Sequence, residues 1–355
     1  MKTARSFLLG SVLLLAAAGC TGGHSPFVAV EDGHFVRDGQ PYTYVGANFW
    51  YGPILASDGV GGDFSRLQRE LDTLKAMGVE NLRVLVGADG SGSVFSRVEP
   101  TLQTAPGVYN DTLLVGLDRF LVELGRRRMQ AVLYVNNSWE WSGGYGQYLE
   151  WGTGEKALVP LVDGYWPYMQ QMRKFQTSPE AQQLYFNHLA NIEMGSENDM
   201  DLVRAVNAIP GIDYMTIHIW PFNWGWARPD HLEEDLPRAL EKTGEYLQQH
   251  RALATELGLP LVAEEFGFPR DGFSPAMEAP TRSRDAYYSY LFAQVGKTLD
   301  GANFWGWSGF AVPLHVQWES GDPYTGDPAQ EAQGLNGVYV TDSTVDVIAT
   351  ANLKP

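Results

Sequence analysis

The sequence predicts an α/β fold of the (β/α)8-barrel type, because strand-like and helix-like segments alternate along most of the chain. The strand-like segments are short, apolar and rich in β-branched residues. The segments between them carry apolar residues spaced by three or four, which is the spacing of one helical face. One strand also ends in two carboxylates, Glu264 and Glu265, at the position where parallel barrels place catalytic groups.

Three strands are predicted in the first half of the chain, at residues 42–48, 81–86 and 131–135. A helix between the first two is predicted from its apolar face, formed by Phe64, Leu67, Leu71, Leu74 and Met77. A second helix is predicted from Leu113, Leu117, Phe120, Leu121 and Leu124. Residues 181–189 are assigned to a third helix.

The second half predicts three more strands, at residues 214–218, 261–264 and 302–305. A long helix carries Leu236, Leu240, Leu247 and Leu257, and another helix covers residues 286–295. The total is six strands, whereas a (β/α)8 barrel needs eight. No internal repeat or linker follows residue 26, so residues 28–355 are predicted to form a single domain.

The formal net charge of −17 argues against nucleic-acid binding, which needs clustered Lys and Arg to neutralise phosphates. The seven histidines and the single cysteine show no metal-ligand spacing, so neither a metal nor a cofactor is predicted.

The first 20 residues resemble a bacterial lipoprotein signal peptide. Lys2 and Arg5 precede an apolar run at 7–18 that is too short to span a bilayer. Cys20 follows small residues and is the predicted lipidation site, with residues 21–27 as a short tether. A plain secretory signal is the alternative. The predicted location is therefore secreted or cell-envelope, with contact to a membrane only through a lipid at Cys20.

Several side chains at predicted strand ends suit carbohydrate binding, which uses flat apolar faces and a few polar groups. The tryptophans among them include Trp50, Trp139, Trp220 and Trp305, although a core tryptophan is the commoner case. Arg83 lies within an apolar strand, where an unpaired arginine is costly to bury. It is therefore predicted to meet a carboxylate, with Glu265 as the natural candidate, unless it lies at the solvent-facing end of the strand. His218 ends another strand and is predicted to point into the same mouth, unless it is a hydrogen-bonded core histidine.

These residues together resemble glycoside hydrolase family 5, and specifically its endo-β-1,4-mannanase branch, over roughly residues 28–345. The motifs that carry the resemblance are Asn-Leu-Arg-Val at 81–84, Asn-Asn-Ser-Trp-Glu-Trp-Ser-Gly-Gly at 136–144, the run at 211–221 that ends in His-Ile-Trp-Pro, Glu-Glu-Phe-Gly-Phe-Pro-Arg at 264–270 and Asn-Phe-Trp-Gly-Trp at 303–307.

The resemblance implies a retaining mechanism with Glu265 as the nucleophile, because the family's nucleophile directly precedes an aromatic-glycine pair. It also implies that Arg83 positions Glu265, that His218 and Trp220 border the bond that is cut, and that Trp305 lies under the sugar. Trp50, Trp139 and Glu140 are further predicted substrate contacts.

The sequence departs from the family at the acid/base. Family members carry an Asn-Glu-Pro motif at the end of strand four, and this chain contains none. Strand four, helix four and most of strand five are therefore predicted to be absent between the segments at 185–191 and 192–199. Glu193 and Glu197 are weak candidates for a replacement acid.

The predicted function is that of an endo-acting β-1,4-mannan hydrolase on mannan, glucomannan or galactomannan, with activity impaired by the missing acid/base. The alternatives are a mannan-binding surface lipoprotein without catalysis, a β-1,4-glucanase, and a truncated chain that does not fold stably.

Overall fold

A six-stranded parallel sheet forms the centre of the molecule in a computed structural model, which describes residues 27–90, 94–186 and 200–353. Its strands are β1 (Tyr44–Asn48), β2 (Asn81–Leu85), β3 (Gln130–Tyr134), β4 (Met215–Ile219), β5 (Leu261–Phe266) and β6 (Gly301–Phe304). Each of the six predicted strands is confirmed to within two residues at either end.

The sheet curls in the order β3-β2-β1-β6-β5-β4, and every neighbouring pair is parallel. This is the order of a (β/α)8 barrel that is open on one side, because strand one of such a barrel pairs with both strand two and the last strand. The open side lies between β3 and β4, which are the two edges of the sheet within the described ranges. Residues 187–199, where the missing segment is predicted, lie outside those ranges.

The burial of the strands reflects the open side. All five residues of β2 are buried, whereas β3 buries only Tyr134 and leaves Leu133 41% exposed. Strands of a parallel sheet are normally covered on both faces. The sequence of β3 is apolar like that of such an interior strand, but β3 lies at an edge of the sheet.

Eleven α-helices are described, and some of them begin at a side-chain cap. They are α1 (Gly52–Ala56), α2 (Phe64–Ala76), α3 (Asp111–Arg126), α4 (Gly144–Thr153), α5 (Pro160–Asp163), α6 (Tyr165–Phe175), α7 (Pro179–Phe186), α8 (Met200–Asn207), α9 (Leu232–Leu257), α10 (Arg282–Phe292) and α11 (Thr344–Asn352). Asp63 caps α2 by accepting from the backbone N–H of Arg66, and Asn110 caps α3 in the same way through Thr112.

The predicted helices correspond to α2, α3, α7, α9 and α10, although the predicted end of α7 extends beyond the described residues. The sequence did not predict α4 and α6. Together with α7 they form a small separate apolar cluster around Tyr148 and Phe175. Short strands at Ala29–Glu31, His34–Arg37 and Gln40–Pro41 form an antiparallel sheet before β1, and two-stranded pairs join Gln103–Ala105 to Val108–Tyr109 and Trp307–Gly309 to Val338–Tyr339. None of the helices described above has the length and apolar character required to cross a membrane.

Candidate active site

Glu264 and Glu265 approach the same guanidinium group although they are consecutive residues of one strand. The side chains of a regular strand alternate between its two faces. Here β5 is irregular against β4: Ala263 pairs with Ile217, and Glu265 pairs with the next residue, His218. Two residues of β5 therefore oppose one residue of β4, as in a β-bulge, and both carboxylates are directed towards Arg83.

Arg83 on β2 forms an ion pair with each of the two carboxylates. Its Nη1 donates to Glu265 Oε2 over 3.1 Å, and its Nε lies 3.1 Å from Glu264 Oε1. The arginine side chain is 5% exposed, and the two glutamate side chains are 14% and 17% exposed. The predicted contact between Arg83 and Glu265 is thus present, and Glu264 adds a second carboxylate that the sequence analysis did not include.

Asn48 at the end of β1 fixes this group to the sheet. Its Oδ1 accepts from Arg83 Nη1 over 3.0 Å, and its Nδ2 donates to the Glu264 carbonyl over 3.1 Å. The Tyr134 ring lies under the guanidinium, with 4.1 Å from Cζ to the ring centroid. Sequence reasoning missed Asn48, and the available signal was a polar amide as the last residue of an apolar strand.

Glu264 is ionised at neutral pH. Burial alone raises the pKa of its carboxyl, but the Arg83 guanidinium and, more weakly, the His218 imidazole outweigh this effect and lower that pKa to about 2. The same two carboxylates raise the pKa of Arg83 against the opposing effect of burial. A positive charge therefore persists between two closely placed carboxylates.

Trp220, just beyond the end of β4, and His218, within β4, both lie beside Glu265, and their predicted place next to the bond that is cut stays a prediction. Trp220 Nε1 donates to Glu265 Oε1 over 2.9 Å. The His218 side chain is 33% exposed, with Nδ1 3.6 Å from Glu265 Oε1 and Nε2 3.8 Å from Glu264 Oε2. Gly267 allows the indole to approach, because a Cβ there would lie 2.4 Å from Trp220 Cζ3.

Trp305 directly follows β6 beside these groups. Its ring centroid is 6.3 Å from that of Trp220 and 6.4 Å from that of Trp141, and both contacts are edge-on. It is 3% exposed, and its Nε1 has no hydrogen-bond partner in the structure that we describe. The predicted role of Trp305 under a bound sugar stays a prediction.

Two of the predicted substrate contacts are buried instead. Trp50 is 2% exposed, because Gly326 of the loop after β6 accepts from its Nε1 over 3.1 Å and Tyr324 packs edge-on against it. Glu140 is 3% exposed in a short 3-10 turn, where Ser96 Oγ donates to its Oε1 over 3.3 Å. Neither side chain forms an open contact surface in this structure, and their roles as substrate contacts, like that of Trp305, stay predictions.

Trp139 remains a candidate for sugar binding. It lies in the loop after β3 and is half-buried, and its ring stacks on Tyr168 of α6 with 5.5 Å between centroids and 12° between planes. Tyr168 in turn donates from its hydroxyl to the Ser138 carbonyl over 2.8 Å. The position and orientation of the indole are therefore fixed from below by α6.

Glu331, in the loop after β6, is a titratable group that the sequence analysis missed. Its Oε2 accepts from Asn336 Nδ2 over 3.2 Å. Burial, together with the charges of Asp327 and Glu265, raises the pKa of Glu331 to about 8. This raised pKa favours the protonated form of Glu331 at neutral pH, and the charge of Glu265 is one of its causes. No sequence pattern marked it, because its pKa depends on how the loop packs.

Three of the predicted site residues, Glu193, Glu197 and Cys20, lie outside the described residues. Within the described ranges, no group of three or more His, Cys, Asp or Glu side chains is arranged to hold a metal ion.

Comparison with known proteins gives a consistent family. A family model described as GH family 5 beta-mannosidase-like matches residues 25–194 and 190–354. Mannan endo-1,4-beta-mannosidase 1 from Oryza sativa subsp. japonica is 24% identical, over 82% of this chain and 80% of that protein. Mannan endo-1,4-beta-mannosidase 1 from Solanum lycopersicum is 26% identical, over 61% of this chain and 48% of that protein.

Solved structures agree with the family model. The glycoside hydrolase family 5 mannosidase from Rhizomucor miehei, an E-to-A mutant, is 29% identical and superposes with a TM-score of 0.85 over 92% of this chain and 97% of that chain. The endo-1,4-beta-mannanase from the same organism shares the fold, with a TM-score of 0.56 at 15% identity over 92% of this chain and 98% of that chain. The chain therefore belongs to glycoside hydrolase family 5, in its β-mannosidase-like group.

Proposed function

We propose that this protein hydrolyses β-1,4-mannosidic bonds with retention of configuration, using Glu265 as the nucleophile. The observation that carries the proposal is the position of Glu265 at the carboxyl end of β5, where Arg83 and Trp220 donate to its two oxygens. Parallel barrels place catalytic groups at this end of their strands. The substrates that we propose are mannan, glucomannan or galactomannan, by analogy with the related mannan endo-1,4-beta-mannosidases.

In the first step a Glu265 oxygen forms a bond with the anomeric carbon of the mannosyl unit. The bond from that carbon to the leaving oxygen breaks, and its electron pair departs with the oxygen, which takes up a proton. Water then cleaves the glycosyl-enzyme ester, which restores the carboxylate and releases the mannosyl product in its original configuration. Arg83 and Trp220 hold Glu265 in one orientation throughout.

The source of the proton determines how active the protein is. The Asn-Glu-Pro motif is missing from the sequence, and we infer that natural substrates react slowly because their leaving oxygen needs an acid. Glu331 is our candidate among the described residues, because burial and the charges of Asp327 and Glu265 raise its pKa to about 8, which favours its acid form at neutral pH. Glu193 and Glu197 remain weaker candidates.

A chain-end mode of cleavage is the main alternative to the internal cleavage predicted from the sequence. It is favoured by the family model's description and by the TM-score of 0.85 with a solved mannosidase. The products distinguish the two: chain-end cleavage releases mannose from mannan, whereas internal cleavage releases a ladder of oligosaccharides. A β-1,4-glucanase would release sugar from cellulose or mixed-linkage glucan instead.

A mannan-binding protein without catalysis is the second candidate function. The sheet edges at β3 and β4 favour it, because the acid/base of the family belongs to a strand between them. Mannan binding by affinity electrophoresis, together with no product from any mannoside, would support this candidate.

The experiment that tests the hydrolase is reducing-sugar release from β-mannan by the full chain and by Glu265→Gln. Glu241→Gln is the matched control, because Glu241 is exposed on α9, away from the site. Product from the wild type and Glu241→Gln but not from Glu265→Gln is the expected result. Equal product from all three proteins would contradict the proposal.

We also propose a lipid anchor at Cys20 and a location at the cell envelope. The support is the sequence pattern of the first 20 residues. Metabolic labelling with a fatty acid in a bacterial host should mark the wild type and not Cys20→Ser. Equal labelling of both proteins, or of neither, would contradict the anchor.

A further inference from the structure

Glu264 is the carboxylate of the site to which the proposed mechanism assigns no step. Its side chain is only 14% exposed, and its Oε1 lies 3.1 Å from Arg83 Nε. Its backbone carbonyl accepts from Asn48, whose own Oδ1 accepts from Arg83. The bulge in β5 is what brings it to the same side as Glu265. These contacts all place Glu264 beside the guanidinium, and not in the position of a second nucleophile.

The buried positive charge of Arg83 needs a counter-ion, and Glu264 lies where it can provide one. The side chain is 5% exposed, and the two ion-pair partners that the structure records for it are Glu264 and Glu265. When Glu265 forms an ester with the anomeric carbon, its negative charge is consumed. Without Glu264, Arg83 would then be a buried cation without a counter-ion, which is strongly unfavourable.

We propose that Glu264 is a positioning residue that keeps Arg83 charge-compensated while Glu265 is esterified. Before the reaction the three groups carry a net charge of −1, and in the glycosyl-enzyme Arg83 and Glu264 form a neutral pair. The proposal rests on the assignment of Glu265 as the nucleophile. Glu264 itself does not touch the reacting atoms.

A direct consequence concerns stability and does not depend on turnover. Glu265→Gln imitates the ester, because the amide is neutral and similar in shape. That variant should remain well folded, since Arg83 still has Glu264. Glu264→Gln should also fold, since Arg83 still has Glu265. The double variant leaves Arg83 with neither partner, so its loss of stability should exceed the sum of the two single losses.

The experiment is a double-mutant cycle of thermal unfolding on the full chain, repeated in an Arg83→Met background. The expected result is a lowering of the melting temperature that exceeds additivity by more with Arg83 than without it, because repulsion between the two carboxylates contributes in both backgrounds. A double variant that does not fold also supports the proposal, provided that it folds when Arg83→Met is added. Additive losses in the Arg83 background, or an excess of the same size without Arg83, would overturn it.

A kinetic measurement separates positioning from a merely structural role. With 2,4-dinitrophenyl β-mannoside the leaving group departs as a stable phenolate, so formation of the glycosyl-enzyme needs no acid. Glu264→Gln should lower kcat about tenfold or more with little change in KM, because a neutral substrate binds equally well to both forms. Glu264→Asp retains the charge and should recover part of the lost rate.

Different results would exclude the proposed role of Glu264 and the proposed role of Glu265. Unchanged kcat in Glu264→Gln, or a change in KM alone, would overturn the role of Glu264 while leaving Glu265 as the nucleophile. Full activity of Glu265→Gln would instead overturn the proposed function, and the role of Glu264 with it.

Discussion

Trp220 donates its indole N–H to Glu265 Oε1 over 2.9 Å, while Arg83 holds the other oxygen of the same carboxylate over 3.1 Å. The two donors come from strands on opposite parts of the sheet, β2 and the end of β4. One oxygen is thereby held from each side, which fixes the plane of the carboxylate.

Trp220→Phe should lower kcat on an activated mannoside while leaving KM nearly unchanged. The ring remains, but the N–H donor to a charged carboxylate is lost, and such a hydrogen bond contributes about 1.5–3 kcal/mol. That corresponds to roughly a 10- to 100-fold loss of rate. Trp166→Phe is the control, since Trp166 is 72% exposed on α6. A rate for Trp220→Phe that equals the control would rule out this role of the N–H.

Arg83→Met should destabilise the fold, because Glu264 and Glu265 would lose the cation between them. Removing one partner from a buried ion-pair group costs about 3–5 kcal/mol. Urea unfolding followed by tryptophan fluorescence measures the loss. Arg119→Met is the matched control, because the pair of Arg119 with Asp58 lies in solvent and should be dispensable. If both variants are as stable as the wild type, the ion pairs of Arg83 do not contribute to the free energy of unfolding.

Acidification should remove a stabilising contribution of Glu264. Its pKa is lowered from 4.5 to about 2 in the folded protein, so the ionised form stabilises the fold above pH 4.5. This contribution is lost as the pH falls towards 2, and it amounts to about 3 kcal/mol. The free energy of unfolding should therefore decrease more between pH 5 and pH 2 for the wild type than for Glu264→Gln. Parallel curves for the two proteins would contradict the low pKa.

Glu331→Gln should affect substrates according to their leaving group. Because the pKa of Glu331 is raised to about 8, its acid form predominates at neutral pH and is lost as the pH rises through that value. Hydrolysis of mannobiose, which needs a proton donor, should decrease by roughly 10²–10⁴-fold. Cleavage of dinitrophenyl β-mannoside should change little. Equal losses on both substrates would exclude Glu331 as the acid.

Leu133→Lys should reduce aggregation of the purified protein. Leu133 is 41% exposed on the edge strand β3, and charged residues on an edge oppose pairing with other chains. Light scattering at raised temperature measures the effect. Leu161→Lys is the control, because Leu161 is equally apolar and 57% exposed but lies on α5. Equal scattering by the two variants would show that the open edge is not the cause of aggregation.

The sequence was sufficient for the sheet and for the pair of Arg83 and Glu265. The six strands were visible as short apolar runs, and an arginine inside such a run required a carboxylate partner. The absence of the Asn-Glu-Pro motif was also recognisable, because a motif is either present in a sequence or absent from it. Whether a segment has been deleted stays a prediction, since the region concerned lies outside the described residues.

Other features depend on tertiary contacts that no local pattern reports. Alternation along β5 predicts that Glu264 and Glu265 point to opposite faces, and only the register against β4 reverses this. Trp50 follows a strand as a binding residue would, but a loop some 276 residues later accepts its indole N–H and buries it. The raised pKa of Glu331 likewise arises from the packing of its loop.

Trapping the glycosyl-enzyme identifies the residue that acts as the nucleophile, which we propose is Glu265. A 2-deoxy-2-fluoro-β-mannosyl fluoride carries its own good leaving group, so the trapping reaction needs no acid/base. Intact-mass measurement followed by peptide mapping should find one fluoromannosyl group on Glu265 and none in Glu265→Gln. Labelling of Glu264, or no labelling of the folded wild type, would show that Glu265 is not the nucleophile.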